Sequence, residues 1–137
     1  MFMKTQITFA VTLLLIVATA VGCQKDEETS LKKDMTGKWL VAKIETTIQG
    51  SATVIYTGLP SDYFEFRNNE EDEVVINLNA TNYIGNYVVL EGDLLNIHYN
   101  GKLRTTHVNT ISANKLEFSG TVEGSSPTVT EKYYLTR

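Results

Sequence analysis

The chain of 137 residues has one cysteine, Cys23, and only two prolines and two histidines. A single cysteine excludes an internal disulfide, so the folded part must be stabilised by a hydrophobic core, which a domain of roughly 100 residues can form. Basic clusters are also missing, since 12 Lys and Arg residues stand against 16 Asp and Glu residues, a net charge of −4. This acidic balance argues against nucleic acid as a partner.

Motifs for catalysis and for cofactor binding are missing as well. The sequence contains no Gly-x-Ser-x-Gly elbow and no glycine-rich phosphate loop. The acidic residues 69–73 (NEEDE) lack the glycine and the oxygen spacing of a calcium loop, so we interpret them as a solvated turn. We therefore predict that the protein is not an enzyme and has no metal site and no cofactor.

The one long hydrophobic run lies at the N-terminus. Residues 9–21 (FAVTLLLIVATAV) follow the positive charge of Lys4, carry no charge and end in small residues. The run is shorter than the about 20 residues that span a bilayer. This pattern predicts that residues 1–22 are a secretory signal peptide.

Residues 20–23 (AVGC) place the only cysteine directly behind that run. They resemble the lipobox of bacterial lipoproteins, with Ala20 where leucine is more usual. The resemblance implies cleavage before Cys23 and lipid attachment at Cys23, where two or three acyl chains make a stable membrane anchor. The alternative is a free exported thiol or half of an intermolecular disulfide.

The charged residues 24–28 (QKDEE) resemble the acidic export signal that follows the lipidated cysteine in lipoproteins of the Bacteroidota. That resemblance implies a lipid anchor in the outer membrane and exposure at the cell surface. The alternative is a plain hydrophilic tether. The expected organisation is a signal peptide (1–22), a lipidated cysteine with a charged tether (23–34) and one domain (35–137).

The domain is predicted to be all-β. Short segments rich in Val, Ile, Thr, Tyr and Phe alternate with turn residues, and a helix is expected only as one turn near residues 31–35. Eight or nine strands in an up-and-down antiparallel meander tend to close into a barrel, with a β-sandwich as the alternative. The predicted strands are 38–48, 53–57, 63–67, 74–78, 83–90, 94–99, 103–112, 116–122 and 129–136.

The turns predict which side chains face inward. A two-residue turn at Gly92-Asp93, a three-residue loop at residues 100–102 and a four-residue loop at residues 112–115 give one consistent interior face. It comprises Val88, Leu90, Leu95, Ile97, Tyr99, Thr105, His107, Asn109, Ile111, Leu116, Phe118, Gly120 and Val122.

A barrel of about eight strands is either filled by its own side chains or holds one small ligand, and the composition of this interior permits both. If a ligand binds, the candidate residues are Val88, Leu90, Leu95, Ile97, Tyr99, Thr105, His107 and Phe118. His107 is interpreted first as an interior histidine with satisfied hydrogen bonds and second as a ligand contact. His98 is expected outside, so the two histidines would not share a metal ion.

Residues 37–39 (GKW) open the first strand and resemble the Gly-x-Trp signature of lipocalins. The resemblance implies a barrel-end pair in which a basic residue of the last strand, Arg137 or Lys132, packs on Trp39. In length, strand rhythm and end motifs, the domain resembles small lipocalin-like lipoproteins of the Bacteroidota. This implies a barrel that binds a small, largely apolar ligand.

The competing hypothesis is a structural or accessory module of an outer-membrane assembly. Its barrel would be filled, and a protein partner would bind to the outside. An apolar patch of Tyr87, Val89 and Leu94 is expected on that outer surface.

Overall fold

The computed structural model describes residues 26–137, so the predicted signal peptide and Cys23 lie outside the described residues. Within this range no helix is both long enough and apolar enough to cross a membrane. One helix precedes nine strands: α1 (Asp26–Met35), β1 (Gly37–Ile48), β2 (Val54–Thr57), β3 (Tyr63–Phe66), β4 (Glu73–Leu78), β5 (Thr81–Val89), β6 (Leu94–Tyr99), β7 (Lys102–Ile111), β8 (Lys115–Val122) and β9 (Val129–Thr136).

The strands form an antiparallel up-and-down meander, in which each strand from β3 to β8 pairs with the next in sequence. Strand β1 pairs with β3 over Gly37–Leu40 and with β9 over Leu40–Ile48. These two pairings close eight strands into a barrel. The predicted barrel is confirmed, and the sandwich alternative is wrong.

Strand β2 is additional to the barrel and continues the line of β3 along the same edge of β1. Between the two strands, the Gly58 N–H donates to Ala42 O at 2.9 Å, and the Val41 N–H donates to Asp62 O at 3.2 Å. A Cβ at position 58 would lie 1.8 Å from Val41 O, so only glycine fits this close approach.

Aromatic rings fill the middle of the barrel. Phe64 is fully buried, and its ring centroid lies 5.5 Å from that of Tyr133 and 6.3 Å from that of Phe118. Phe118 and Tyr133 stack on each other at 4.7 Å. Edge-to-face and stacked pairs of this kind add stability beyond the area that they bury. The interior positions in this layer are therefore occupied by the chain's own side chains.

Helix α1 closes one end of the barrel, which we call the base. Met35 is fully buried, and its carbonyl accepts a hydrogen bond from Trp39 Nε1 at 2.8 Å. The expected barrel-end pair is formed by Arg137, whose guanidinium carbon lies 3.9 Å from the Trp39 ring centroid. Arg137 also donates to the carbonyls of Ala113, Thr36 and Asp34.

The helix corrects the prediction of a tether in residues 24–34. Residues 26–35 form a ten-residue helix rather than an extended segment. Leu31 packs on the core one helical turn before Met35, so the helix buries an apolar edge on the barrel.

The predicted register of the β5–β6 hairpin is wrong by one residue. Val89 pairs with Leu95, and the three-residue loop 91–93 follows, with Gly92 at φ +75°. A one-residue slip turns every side chain to the other face. Tyr87 is therefore buried inside, whereas Val88 and Leu90 are exposed outside.

The β6–β7 turn is also shorter than predicted. Tyr99 pairs with Lys102, and Asn100 and Gly101 both have positive φ, as a two-residue type I′ turn requires. Strand β7 therefore turns Arg104, Thr106 and Val108 inward. The predicted interior residues Thr105, His107 and Asn109 are not inside.

A bulge between Val108 and Thr110 then restores the predicted register, and Ile111 pairs with Leu116 as expected. Because the bulge offsets the slip, the interior predicted for β8 is correct. Leu116, Phe118 and Val122 are all buried there.

Asp62 joins the β2–β3 connection to the β4–β5 turn through hydrogen bonds of its carboxylate. Its carboxylate accepts hydrogen bonds from the Tyr56 hydroxyl and from the N–H groups of Leu59 (2.9 Å) and Asn79 (3.0 Å). Burial by itself would raise the pKa of Asp62, but these donors outweigh it and lower the pKa.

Asp62→Asn turns one of these acceptor atoms into a donor, so we expect the free energy of unfolding at pH 7 to fall by about 1–3 kcal/mol. Because the folded pKa is lowered, the carboxylate's contribution is present above about pH 4 and is lost as the pH falls through the folded pKa. Urea unfolding at pH 2–7 should therefore show a weaker pH dependence in the variant. An unchanged profile would contradict this role of Asp62.

Candidate functional site

The end of the barrel opposite α1 is open, and we call it the mouth. The interior face of the paired strands β1 and β9 extends to the mouth. Side chains alternate along each strand, so the pairs that follow the buried pair Ile44–Tyr133 at two-residue steps share its face. These pairs are Thr46–Glu131 and Ile48–Val129.

Strand β2 extends one side of the mouth beyond the barrel. Val54 pairs with Thr46, so its side chain lies on the same face as the interior. Val54 is 67% exposed, and Ile48 is 42% exposed. The mouth therefore has an apolar rim on the side of β1 and β2.

Below the rim lies a buried polar cluster, which we call the floor and which consists of Arg104, Glu131, Tyr99 and Tyr133. Arg104 Nε donates to Glu131 Oε1 at 3.1 Å, and the two side chains are only 7% and 13% exposed. Arg104 Nη1 donates to the carbonyl of Tyr99 at 3.1 Å, and the guanidinium carbon lies 3.8 Å from the centroid of the Tyr99 ring.

The two tyrosines complete the cluster. Tyr133 donates its hydroxyl proton to Glu131, and the hydroxyl oxygens of Tyr99 and Tyr133 lie 3.0 Å apart. Every charge in the floor therefore has a partner, as a buried ion pair requires.

Burial and neighbouring groups shift the pKa values of three side chains in the floor. Burial raises the pKa of the Tyr133 hydroxyl well above its usual value and also raises that of Tyr99. Burial by itself would lower the pKa of Arg104, but Tyr133, Tyr99 and Glu131 outweigh it and raise that pKa. At neutral pH the two tyrosines are therefore neutral, and Arg104 carries its positive charge.

A cavity of about 300 Å³ opens at the mouth, between β1, β7 and the β8–β9 loop. This volume is at the lower end of the range for small-molecule sites. Its lining combines apolar and hydrogen-bonding groups: Thr46, Lys102, Val122, Glu123, Gly124, Ser125, Val129 and Glu131. Cavities of similar volume lie elsewhere among the described residues: one of about 300 Å³ against β1 and β9 near Thr47 and Thr130, and one of about 250 Å³ at the base beside Arg137. The mouth differs from both because the polar floor and the apolar rim adjoin it.

The eight residues predicted to bind a ligand do not come together. Leu95, Ile97 and Phe118 are fully buried in the core. Tyr99 is the one that reaches the floor. The other four lie on the outer surface of the barrel: Val88, Leu90, Thr105 and His107.

Both histidines are exposed on the outside of the barrel. This agrees with the prediction for His98 and contradicts the one for His107. His107 Nδ1 lies 3.3 Å from Asp93 Oδ1 at the β5–β6 loop. Among the described residues, no three His, Cys, Asp or Glu side chains are grouped so that they could hold a metal ion.

Arg104 and Glu131 were missed because they are 27 residues apart and because a charge on a strand is expected to face water. One signal could have found Arg104. Asn100-Gly101 is the dipeptide that type I′ turns prefer, and a two-residue turn there places Arg104 inside, paired with Ile97.

No protein-family model matches this chain, and a search of the curated proteins finds no similar sequence. Functional inference therefore depends on the residues and on the geometry of the mouth.

Glu131→Gln should destabilise the fold, because it leaves Arg104 buried without its counter-charge. We expect the free energy of unfolding to fall by about 3 kcal/mol, measured by urea unfolding. The double variant R104M/E131L removes both charges and should recover most of that loss.

Glu73→Gln is the matched control, since it breaks the more exposed pair with Arg67 at 3.2 Å. It should cost less than about 1 kcal/mol. Equal losses in E131Q and E73Q would show that the floor pair does not behave as a buried pair.

Proposed function

We propose that this protein is a surface-exposed outer-membrane lipoprotein, similar to the lipocalin-like lipoproteins of the Bacteroidota. Its barrel acts as a non-catalytic binding module, anchored through lipid at Cys23, and binds a small amphipathic ligand at the mouth. The observation that carries the binding role is the cavity of about 300 Å³ above the buried floor. The closed eight-stranded barrel is compatible with this role.

The binding site lies at the mouth and not deep in the barrel. The middle of the barrel is occupied by Phe64, Phe118 and Tyr133, which are all fully buried. A ligand there would have to displace packed rings, at a cost of several kcal/mol for each ring. A ligand at the mouth displaces only water.

The lining of the mouth indicates the chemical class of the ligand. Ile48, Val54 and Val129 offer an apolar surface on one side. On the other side, Lys102, Ser125 and Glu131 offer hydrogen-bonding groups. Small-molecule sites combine these two kinds of surface in this way. The expected ligand therefore has an apolar part and one polar group.

The position of α1 supports the anchored arrangement. Only Gln24 and Lys25 separate Cys23 from the first helical residue, Asp26. With lipid on Cys23, the base of the barrel would lie close to the membrane. The mouth, at the opposite end, would be open to the medium.

A second function, an accessory module without a ligand, is favoured by the aromatic filling of the interior. In that case the barrel is a scaffold, and its outer surface binds a partner protein of the outer membrane. The apolar patch predicted for that surface loses Tyr87, which is buried inside, and Val89, which packs against the core, and keeps only Leu94. Val88, Leu90 and Leu103 are exposed apolar residues on the strands around it.

The ligand hypothesis is tested by native mass spectrometry of the protein purified from its host. We expect a bound species of non-peptide mass, and Val129→Trp should reduce its occupancy at least tenfold, because an indole at position 129 fills the mouth. Thr130→Trp is the matched control, because residue 130 faces outward on the same strand and should leave the occupancy unchanged. A parent protein without a bound species would favour the accessory module instead.

The anchor is tested by Cys23→Ala. The parent should carry the mass of acyl chains and sediment with the outer membrane, whereas the variant should lack that mass and be released. External protease should digest the parent on intact cells. Membrane association of C23A equal to that of the parent would contradict the anchor, and full protease resistance would contradict surface exposure.

A further inference from the structure

Strand β2 has one edge that no other strand in the described part of the chain occupies. It pairs with β1 on its other edge and stands last in the sheet order. Strand β3 lies end to end with β2 along β1. The other edge of β3 pairs with β4, which ends at Leu78. The free edge of β2 therefore lies beyond β4, at the same end of the barrel as the mouth.

The backbone of β2 presents a regular set of hydrogen-bonding groups to this edge. The Gly58 N–H donates to Ala42 O, so Gly58 turns its backbone N–H and C=O groups toward β1. Every second residue before Gly58 in the strand does the same. Thr53, Ile55 and Thr57 therefore turn their N–H and C=O groups toward the free edge. Such a row of groups is a template for another strand.

The edge is short but carries no charged side chain, proline or bulge that would oppose pairing. Natural edge strands carry charged residues, proline or bulges, whereas residues 53–57 read TVIYT and contain none of these. Ile55 is 59% exposed on the outer face. Its partner on β1 is Glu45, which forms an ion pair with Lys43 Nζ at 3.0 Å.

Residues 53–57 read threonine, valine, isoleucine, tyrosine and threonine, so the two threonines lie at equal distances from Ile55 and flank two residues of high β-propensity. We propose that β2 pairs in antiparallel fashion with β2 of a second copy of this chain, about a two-fold axis at Ile55. Ile55 then faces Ile55 of the other copy, Val54 faces Tyr56, and Thr53 faces Thr57. Pairs of β-branched and aromatic residues, and of two threonines, are favourable across antiparallel strands.

A second copy supplies a strand with the matching pattern, and this edge is also where two copies repel each other least. Each chain carries a net charge of −4, so two copies repel over most of their surfaces. The uncharged strand is a place where they can approach with little repulsion. One pair of short strands buries less than the about 1,000 Å² of a stable interface, so the dimer is weak and reversible.

The test is disulfide formation in the full chain, in detergent, under mild oxidation. In an antiparallel hydrogen-bonded pair the Cα atoms are about 5.5 Å apart, within the range of a disulfide. Ile55→Cys should therefore give covalent dimers. The parent, with Cys23 alone, measures the background. Ile84→Cys, at a position that is 69% exposed, measures random collision.

The register gives a sharper test. Thr53→Cys alone and Thr57→Cys alone should remain at background, because each residue lies about 14 Å from its own copy. A mixture of the two variants should give heterodimers, because residue 53 faces residue 57 across the axis.

We expect at least tenfold more dimer from I55C, and from the T53C and T57C mixture, than from I84C. Equal yields from I55C and I84C would overturn the proposal. Dimers from I55C without heterodimers from the mixture would overturn this register. A partner protein on the edge, or the chain's own residues 1–25, would leave all the variants at background and would also overturn the proposal.

Discussion

The pairing of β1 with both β9 and β3 is the constraint on which the rest of the structure depends. Closure gives the barrel an inside of limited size, and every strand residue then faces either that inside or the solvent. In this chain the middle of the inside is taken by Phe64, Phe118 and Tyr133. What remains open is the end where β1 and β9 extend beyond the packed rings. Closure thus determines both the stability of the domain and the location of its cavity.

The polar floor follows from the same closure. Strands β7 and β9 are not neighbours in the sheet, but each pairs with β8, and the curvature of the barrel turns Arg104 and Glu131 toward each other. A buried charge is tolerated only with a partner and with further hydrogen bonds. Tyr133 and the carbonyl of Tyr99 supply those bonds. The floor is thereby a fixed polar surface beneath an apolar rim, which is the arrangement that supports a binding role for the mouth.

The sequence was sufficient for the fold class and for the position of every strand, because alternation and turn residues are local signals. The prediction of which side chains of β5 and β7 point inward was wrong, because for each strand it depends on the length of a single turn. Asn100-Gly101 makes a two-residue turn, and the one-residue difference moved His107 outside and Arg104 inside. The bulge at Asn109 has no signal in the sequence, although it restores the register of β8.

The helix was underestimated for a related reason. Residues 24–34 read as a charged tether, with one helical turn near residues 31–35, because the mean hydropathy of this segment is low and only Leu31 and Met35 mark a face that packs on the core. A single apolar pair in a polar segment indicates a buried helix face only when the surface that it packs on is known. The site was predicted less well than the fold, because it unites side chains from β1, β6, β7, β8 and β9, and no local pattern specifies that grouping.

Strand β2 belongs to both the rim of the mouth and the free edge of the sheet. Val54 turns its side chain to the mouth, whereas the neighbouring Ile55 turns its backbone groups to the free edge. A ligand packed on Val54 would restrain β2 and lower the entropic cost of adding a second strand. Coupling of this kind is reciprocal, so dimerisation would raise the affinity for the ligand by the same factor. The exposed extension of β1 and β2 beyond the barrel is thus the part of this fold in which ligand binding and self-association would depend on each other.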